Sequence, residues 1–211
     1  MHEVERVGRD RVPGLAALLG RAFADDPMFL WPLGTGPIAP KAEAFFLAFD
    51  ERLADLGWLW PTSDDTAVAG WIPPGHDAEM MEIDRALRPA IARTTDDGGV
   101  RYDAMWEWIA SKLPSEPFWY LDHLAVEADR RGGGVGTALI EHGLAFAQRD
   151  GVPAFLETAR PENVGYYERR GFRVVEEGDV PGGGPRLWFL RYDPGSSSAR
   201  PSGVGPRPAP S

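Results

Sequence analysis

The chain of 211 residues contains no cysteine, which excludes disulfide frameworks, thiol nucleophiles and cysteine zinc sites together. It lacks an apolar run of the roughly 18 residues that a membrane span requires, and its charged start, MHEVERVGRD, lacks the apolar core of a secretion signal. Basic residues are few, 22 against 32 acids, and the formal net charge of −10 argues against a dedicated nucleic-acid binder. We therefore expect a cytoplasmic protein that binds neither nucleic acid nor a membrane.

Apolar and charged residues are present in ordinary proportions, 43% and 26%, so the chain can bury a sizeable core. Its length suits a single domain. The segment 194–211 differs, because it is rich in Pro, Gly and Ser and its one large apolar side chain is Val204. Such a segment buries too little surface to offset its ordering entropy. We expect one domain over residues 1–193 and a disordered tail over 194–211.

Hydrophobic periodicity alternates along the chain between the patterns of helices and of strands. The predicted helices cover 15–23, 41–56, most of 77–112 with a break near 97–99, 134–149 and 162–170. The predicted strands cover 3–7, 58–61, 66–72, 118–126, 154–158, 172–176 and 186–192. This order predicts an α/β (α+β) fold with a central mixed β-sheet of six to seven strands flanked by helices.

The most informative segment is RRGGGVGT, residues 130–137, between a predicted strand and a predicted helix. Its glycines let the backbone bend around a ligand, and the helix start and two arginines add donors and positive charge. A P-loop is excluded because no lysine follows Gly136, and a dinucleotide fingerprint is excluded because Leu139 or Thr137 replaces the last glycine. The pattern predicts a pyrophosphate site, with a plain glycine-rich turn as the alternative.

Two segments resemble the GNAT superfamily of N-acetyltransferases. Arg131-x-x-Gly134-x-Gly136, after a strand reading YLDHLAV, resembles the superfamily's acetyl-coenzyme A signature. The segment 163–172, NVGYYERRGF, is similar to its carboxyl-terminal helix. The resemblance implies a GNAT-like sheet that is splayed between its central strands, with acetyl-CoA as co-substrate. It also implies a homodimer, since members are often dimers.

The segments 151–158, GVPAFLET, and 22–27, AFADDP, resemble the puromycin N-acetyltransferase branch, whereas 73–115 resembles nothing useful. The resemblance implies transfer of an acetyl group to a primary amine of a small molecule by direct attack on the thioester, with an antibiotic or aminonucleoside as candidate acceptor and antibiotic resistance as the setting. The net negative charge of the chain favours a cationic acceptor. Two alternatives remain: an enzyme using another acyl-CoA or a protein amino terminus, and a non-catalytic CoA-binding regulatory module.

The cofactor-binding candidates come from the glycine loop and from the resemblance. In the superfamily, a bulge in the strand before the loop offers backbone N–H groups to the pantetheine and the acetyl oxygen, which corresponds here to 124–126. Asn163 is implied to touch the coenzyme. The candidates are Leu124, Ala125, Val126, Arg131, Gly132, Gly133, Gly134, Val135, Gly136, Thr137 and Asn163.

The resemblance makes Tyr167 the candidate general acid, since a phenol is protonated at neutral pH and can donate to the departing sulfur; the alternative is an aromatic that packs the helix on the sheet. The base stays open among His123, Asp122 and Glu157. His123 has a suitable pKa, but a lone histidine on a strand is more often structural. Neighbouring strand residues face opposite sides, so Asp122 and His123 share a pocket only if a bulge intervenes.

Phe29, Trp31 and Trp119 are candidates for the acceptor pocket, because the superfamily builds that pocket from the first helices and the central strand. Core packing is the alternative for these aromatic residues. No metal site is expected, since no H-E-x-x-H or comparable ligand pattern occurs.

Overall fold

The computed structural model describes residues 3–195, which hold seven α-helices and six β-strands. The helices are α1 (Val12–Ala22), α2 (Pro27–Leu33), α3 (Ile38–Leu56), α4 (Asp77–Thr94), α5 (Val100–Ala110), α6 (Val135–Asp150) and α7 (Pro161–Glu168). The strands are β1 (Leu59–Pro61), β2 (Ala67–Ile72), β3 (Trp119–Val126), β4 (Ala154–Thr158), β5 (Arg173–Asp179) and β6 (Arg186–Tyr192). Apart from Pro194 and Gly195, the predicted tail lies outside the described residues.

The six strands form one mixed sheet in the order β1-β2-β3-β4-β6-β5. Neighbouring strands are antiparallel except β3 and β4, which run parallel and are connected through α6. The predicted mixed sheet flanked by helices is confirmed. The predicted strand over 3–7 was wrong in extent: it forms only a bridge between Val4 and Thr62, because the adjacent strand β1 has three residues and ends at Pro61.

The centre of the sheet is splayed. β3 and β4 pair only at their first residues, ending at Tyr120 and Phe155, and beyond these a gap opens between them. On its other edge β3 pairs with β2, where Gly70 lies opposite His123 and the next pair skips Asp122. A β-bulge at Asp122 therefore bends β3 just where it leaves β4. The predicted splay is confirmed.

Different helices cover the two faces of the sheet. α1 and α3 pack on the face that carries Tyr120, and the buried stripe of α3 includes Phe46 and Phe49. α6 packs on the other face, and it approaches β2 so closely at Gly143 that an added Cβ would lie 1.9 Å from a ring carbon of Trp71. The two cores meet at β3, so side chains along this strand divide between them.

Candidate active site

The glycine loop has the geometry of an anion cradle. Gly132 and Gly134 adopt φ angles of +80° and +84°, and an added Cβ at either position would meet no atom within 4 Å, so the loop borders open space. The first N–H groups of α6 have no partner within the helix and carry the positive end of its dipole. Arg131 Nε donates to the carbonyl of Val126 at 3.3 Å, which holds this cation beside the loop. These features fit a pyrophosphate.

Arg170 adds a second cation to the cradle, and the sequence reasoning missed it. Its guanidinium carbon lies 3.5 Å from the centre of the Tyr166 ring, and the group donates to the hydroxyl of Thr137 in the first turn of α6. An added Cβ on Gly136 would lie 2.6 Å from the Tyr166 hydroxyl, so glycine is needed for α6 to pass this ring. The position of Arg170, just after the GNAT-like tyrosines, was the available signal.

At the splay, Tyr120 of β3 faces Glu157 of β4. The Tyr120 hydroxyl donates to both carboxylate oxygens of Glu157, at 2.6 and 2.8 Å. Burial raises the pKa of Glu157 to about 8, and the charge of Asp122 adds to the shift. Both side chains lie on the α3 face of the sheet. Their hydrogen bonds connect β3 to β4 at the closed end of the gap, where the backbone pairing of the two strands stops.

Tyr167 lies at the end of α7, in the core on the α6 face. Burial raises the pKa of Tyr167, and Tyr166 and Glu157 add to the shift, so the phenol keeps its proton at neutral pH. Its hydroxyl makes no hydrogen bond to residues 3–195 and is therefore free to donate to a ligand. Asn163, one turn earlier on α7, donates to Thr158 Oγ1 at 3.4 Å.

The bulge brings Asp122 and His123 to the same face of β3. Their side chains meet with His123 Nδ1 3.0 Å from Asp122 Oδ1. His123 is buried, and its other nitrogen faces Asp50 of α3. Ala125 shares this face, whereas Leu124 and Val126 belong to the α6 side. Leu124, Ala125 and Val126 pair with β2 along one edge of β3. Within the described residues, no strand pairs with their other edge.

A cavity of about 950 Å³ opens beside Asp122 on the α3 face. Its wall comes largely from α4, α5 and the chain that follows them, within the stretch 73–115 that resembles nothing useful. Aromatic rings dominate the lining: Phe45, Phe49, Tyr102, Trp106, Phe118 and Tyr120. Carboxylates also line it: Asp77, Asp84, Glu116 and Asp122. The spacing of Tyr102 and Trp106, one helical turn apart, was a signal for this wall that the sequence reasoning did not use.

The three residues predicted for the acceptor pocket do not line this cavity. Phe29 packs among phenylalanines of α1 and α3, and Trp31 borders a separate shallow depression. Trp119 stacks on Phe146 of α6 at 5.0 Å between ring centroids, and its indole N–H bonds Asp150 at 3.0 Å. Trp119 and Tyr120 are adjacent on β3, so their side chains point to opposite faces of the sheet. Trp119 is thus directed away from the cavity.

Metal centres and membrane-spanning helices are two further classes of feature. Among residues 3–195, no group of three or more His, Asp or Glu side chains is placed to hold a metal ion. No helix in that range is long and apolar enough to cross a membrane.

A model of the acetyltransferase (GNAT) family matches residues 26–172, which include the cradle, the splayed strands and α7. The chain belongs to this family. A curated relative, the peptidyl-lysine N-acetyltransferase YjaB of Salmonella typhimurium, is 27% identical over 92 residues, covering 35% of this chain. The aligned part spans 62% of the length of that relative.

Solved structures of GNAT proteins share the fold. A protein from Corynebacterium glutamicum described as histone acetyltransferase HPA2 and related acetyltransferase has a TM-score of 0.69 and 25% identity, covering 94% of this chain and 99% of that one. An arylalkylamine N-acetyltransferase 2 from Aedes aegypti has a TM-score of 0.58 and 15% identity, covering 90% and 98%. The family uses acetyl-CoA as acetyl donor, as the resemblance implied. The finer likeness to the puromycin branch stays a prediction.

Proposed function

We propose that this GNAT protein transfers the acetyl group of acetyl-CoA to a primary amine of a small molecule that carries an apolar or aromatic body. The observation that carries the proposal is the gap between β3 and β4. Asp122 borders it from the aromatic cavity, and Tyr167 is buried on the α6 side, on the helix α7 that contacts β4. A base and an acid on opposite sides of one opening suit an attack on a thioester lying between them.

The cradle supports coenzyme binding through three kinds of donor. Backbone N–H groups of 132–137 and the α6 amino terminus would hold the pyrophosphate, with Arg131 and Arg170 supplying charge. The unpaired edge of Leu124 to Val126 would offer hydrogen bonds to the pantetheine amides and the acetyl oxygen. Asn163 lies near the same gap on α7. Bound acetyl-CoA supplies the thioester carbonyl carbon that the amine attacks.

Asp122 is the base in this proposal. Its Oδ1 is engaged by His123, its Oδ2 makes no hydrogen bond to described residues, and the side chain lines the cavity. A bound ammonium would give its proton to this carboxylate and become nucleophilic. Tyr167, which keeps its proton at neutral pH, would donate to the departing sulfur. Glu157 is instead occupied by Tyr120 on both oxygens.

The cavity lining supports the acceptor class. Six aromatic rings suit an apolar body, and the carboxylates attract a cationic amine. The two arginines of α4 that line the cavity are already paired with neighbouring acids, Arg85 with Glu82 and Arg88 with Asp84. Glu116 is likewise paired with Arg191, so Asp77 and Asp122 are the lining carboxylates that have no arginine partner among the described residues. An aminonucleoside such as puromycin combines an amine with aromatic groups, in keeping with the predicted branch.

A peptide amine is the second candidate acceptor, favoured by the name of the curated relative, a peptidyl-lysine N-acetyltransferase. The two candidates differ in how much of the acceptor the cavity must enclose. A small amine is held entirely inside it, whereas a protein must present a side chain or its terminus from outside.

Two measurements test the proposal. Acetyl-CoA at about 100 times its dissociation constant should stabilise the fold by about 2.7 kcal/mol, readable as a thermal shift. Thiol release should then be followed with puromycin, arylalkylamines, polyamines and lysine peptides as acceptors. We expect turnover with aromatic amines above that with linear polyamines or peptides. A missing thermal shift would exclude the coenzyme site, and a shift without thiol release from any amine would favour a CoA-binding regulatory module.

A further inference from the structure

Asp50 is a fully buried carboxylate in the middle of α3. It lies four residues after Phe46, on the apolar face of the helix that packs against the sheet. Its Oδ1 is 3.5 Å from Nε2 of His123. Neither of its oxygens has a hydrogen-bond donor among the described residues. Burying a carboxylate with a histidine as its facing cation is costly, so the position calls for an explanation beyond packing.

The surroundings fix the His123 ring between two carboxylates. Phe46 and Phe49 meet the ring edge-on, at 5.3 and 6.0 Å between centroids. A Cβ on Gly70 of β2 would lie 2.5 Å from the ring, so the sheet backbone itself is shaped around the imidazole. The ring cannot turn without moving α3 or β2. Nε2 is therefore held facing Asp50, and Nδ1 is held facing Asp122.

Charge within this row of three side chains follows from the same contacts. Burial lowers the pKa of His123, but the carboxylates of Asp50 and Asp122 outweigh it and the net shift is upward. Burial raises the pKa of Asp50 to about 7, and the charge of His123 opposes that shift. Asp50 and Asp122 are the titratable groups that face the ring; the phenylalanines of α3 and the glycine of β2 contribute none. A protonated imidazole donates to Asp122 at 3.0 Å and makes an ionic contact with Asp50 at 3.5 Å. Asp50 therefore favours the form of His123 that donates from Nδ1 to Asp122.

We propose that Asp50, acting through His123, is a positioning residue for the Asp122 carboxylate that receives the proton of the acceptor amine. The inference rests on the proposed function, since it assigns a role in that reaction. Asp50 and His123 exchange no atom with the substrate. The ammonium gives one proton to Asp122, the amine nitrogen bonds to the thioester carbonyl carbon, and the C–S bond breaks as the Tyr167 hydroxyl gives its proton to the sulfur. The second proton of the nitrogen then passes to the Tyr167 phenolate. The part of Asp50 and His123 is to hold Oδ1 of Asp122, which leaves Oδ2 for the amine.

Asp50→Asn tests the proposal in the full chain, because asparagine keeps the shape and removes the charge. We expect kcat for the amine to fall about 10-fold, with KM changed less than about 2-fold, since a charge-assisted hydrogen bond to the base is weakened and the cavity is untouched. The thermal shift with acetyl-CoA should be unchanged. NMR of the imidazole nitrogens should show a lower pKa for His123 in the variant than in the wild type, because the Asp50 charge that raises it is gone.

A double-mutant cycle separates positioning from a merely structural role. Asp122→Asn alone should lower kcat by about 100-fold, as expected for loss of a general base. Adding Asp50→Asn to Asp122→Asn should then lower kcat by less than about 2-fold, because the residue through which Asp50 acts is already gone. Independent losses that multiply would overturn the proposal, and so would a wild-type rate in Asp50→Asn.

His142→Gln is the matched control for a companion variant, His123→Gln. His142 is partly buried, whereas His123 is fully buried, and it lies on α6 between Trp60 and Phe146. Its replacement should leave kcat within about 2-fold. His123→Gln should reduce kcat as Asp50→Asn does, and equal effects at the two histidines would count against the inference. If the wild type acetylates no amine, the proposed function is wrong and the inference is wrong with it. If the wild type turns over normally but the kcat losses of Asp50→Asn and Asp122→Asn multiply, the inference alone is wrong.

Discussion

The Tyr120 hydroxyl donates to both carboxylate oxygens of Glu157, at 2.6 and 2.8 Å, and so joins β3 to β4 where their backbone pairing ends. The side chains continue the connection after the main chains separate, since Glu157 lies two residues beyond Phe155, the backbone partner of Tyr120. This contact stabilises the closed end of the gap and fixes its width beside the cavity. It also distinguishes Glu157 from Asp122, whose second oxygen stays open.

Glu157→Gln should therefore preserve most of the activity, because the amide oxygen still accepts from Tyr120 and the proposed base is elsewhere. We expect kcat within about 5-fold of wild type, against about 100-fold lost in Asp122→Asn. The measurement is thiol release by both variants with the same amine. The opposite ranking of the two variants would make Glu157 the base.

Glu157→Gln should also change how stability depends on pH. The folded pKa of about 8 lies above the ordinary value of 4.5, so the folded chain binds more protons than the unfolded chain between these values. Stability is then highest below about pH 4.5 and falls as the pH rises toward 8. Glutamine does not titrate, so the variant lacks this loss. The free energy of unfolding of the variant minus that of the wild type should therefore increase from pH 5 to pH 8. Urea denaturation at several pH values measures this, and parallel curves would contradict it.

Tyr167→Phe should lower turnover while leaving coenzyme affinity nearly intact, because the ring still packs in the core and only the proton donor is lost. A fall in kcat of about 100-fold is the expected size for a general acid. Tyr192→Phe is the control, since that hydroxyl accepts from Gln148 at 2.7 Å, at the surface and away from the gap. Unchanged turnover in Tyr167→Phe would remove this residue from the acid role.

The cradle could be predicted from sequence because its parts are contiguous. Four glycines and a helix start lie within 130–137, a few residues after the end of β3 at Val126, and the chain geometry there follows from the residues themselves. Tyr167 and Asn163 could be placed in the same way, since one short helix presents both. Arg170 was missed because its contact with Thr137 joins two elements that are distant in sequence.

The acceptor side could not be predicted in that way. Whether Asp122 and His123 share a face depends on the register between β2 and β3, and the skipped residue appears only when the strands pair. Asp50 reads as an ordinary polar position in a helix until α3 is docked on the sheet. Trp119 was assigned to the pocket from its residue type and its strand, whereas its side chain lies on the face of the sheet that packs against α6.

Arg131→Ala should weaken acetyl-CoA binding with little effect on the fold, because its side chain is exposed and its one hydrogen bond within residues 3–195 is to the Val126 carbonyl. Loss of a charged donor to a phosphate costs about 1.5–3 kcal/mol, or about 10- to 100-fold in Kd. Arg186→Ala, which removes an exposed arginine of β6 paired with Glu177 of the distant edge strand β5, is the control. Calorimetric titration measures both, and equal affinities for the two variants would exclude Arg131 from the cradle.

Gly143→Ala tests the packing that sets the sheet against α6. The new Cβ would lie 1.9 Å from Cε2 of Trp71, a fully buried ring whose indole N–H also donates to the Leu139 carbonyl at 3.2 Å. Because backbone and ring are both held, relief requires α6 to move outward, and we expect a loss of about 3 kcal/mol. For a chain of this size the loss lowers Tm by about 6–12 °C.

Gly14→Ala is the matched control for that substitution. Gly14 is also helical, in α1, but an added Cβ there meets no atom within 4 Å, so alanine should stabilise the fold by about 0.5 kcal/mol through its lower unfolded-state entropy. The helix α6 leads from the cradle into the core, so Gly143→Ala should in addition weaken acetyl-CoA binding, which Gly14→Ala should not. A Tm for Gly143→Ala equal to that of Gly14→Ala would show that Trp71 can move aside, and that the approach of α6 to the sheet does not depend on glycine.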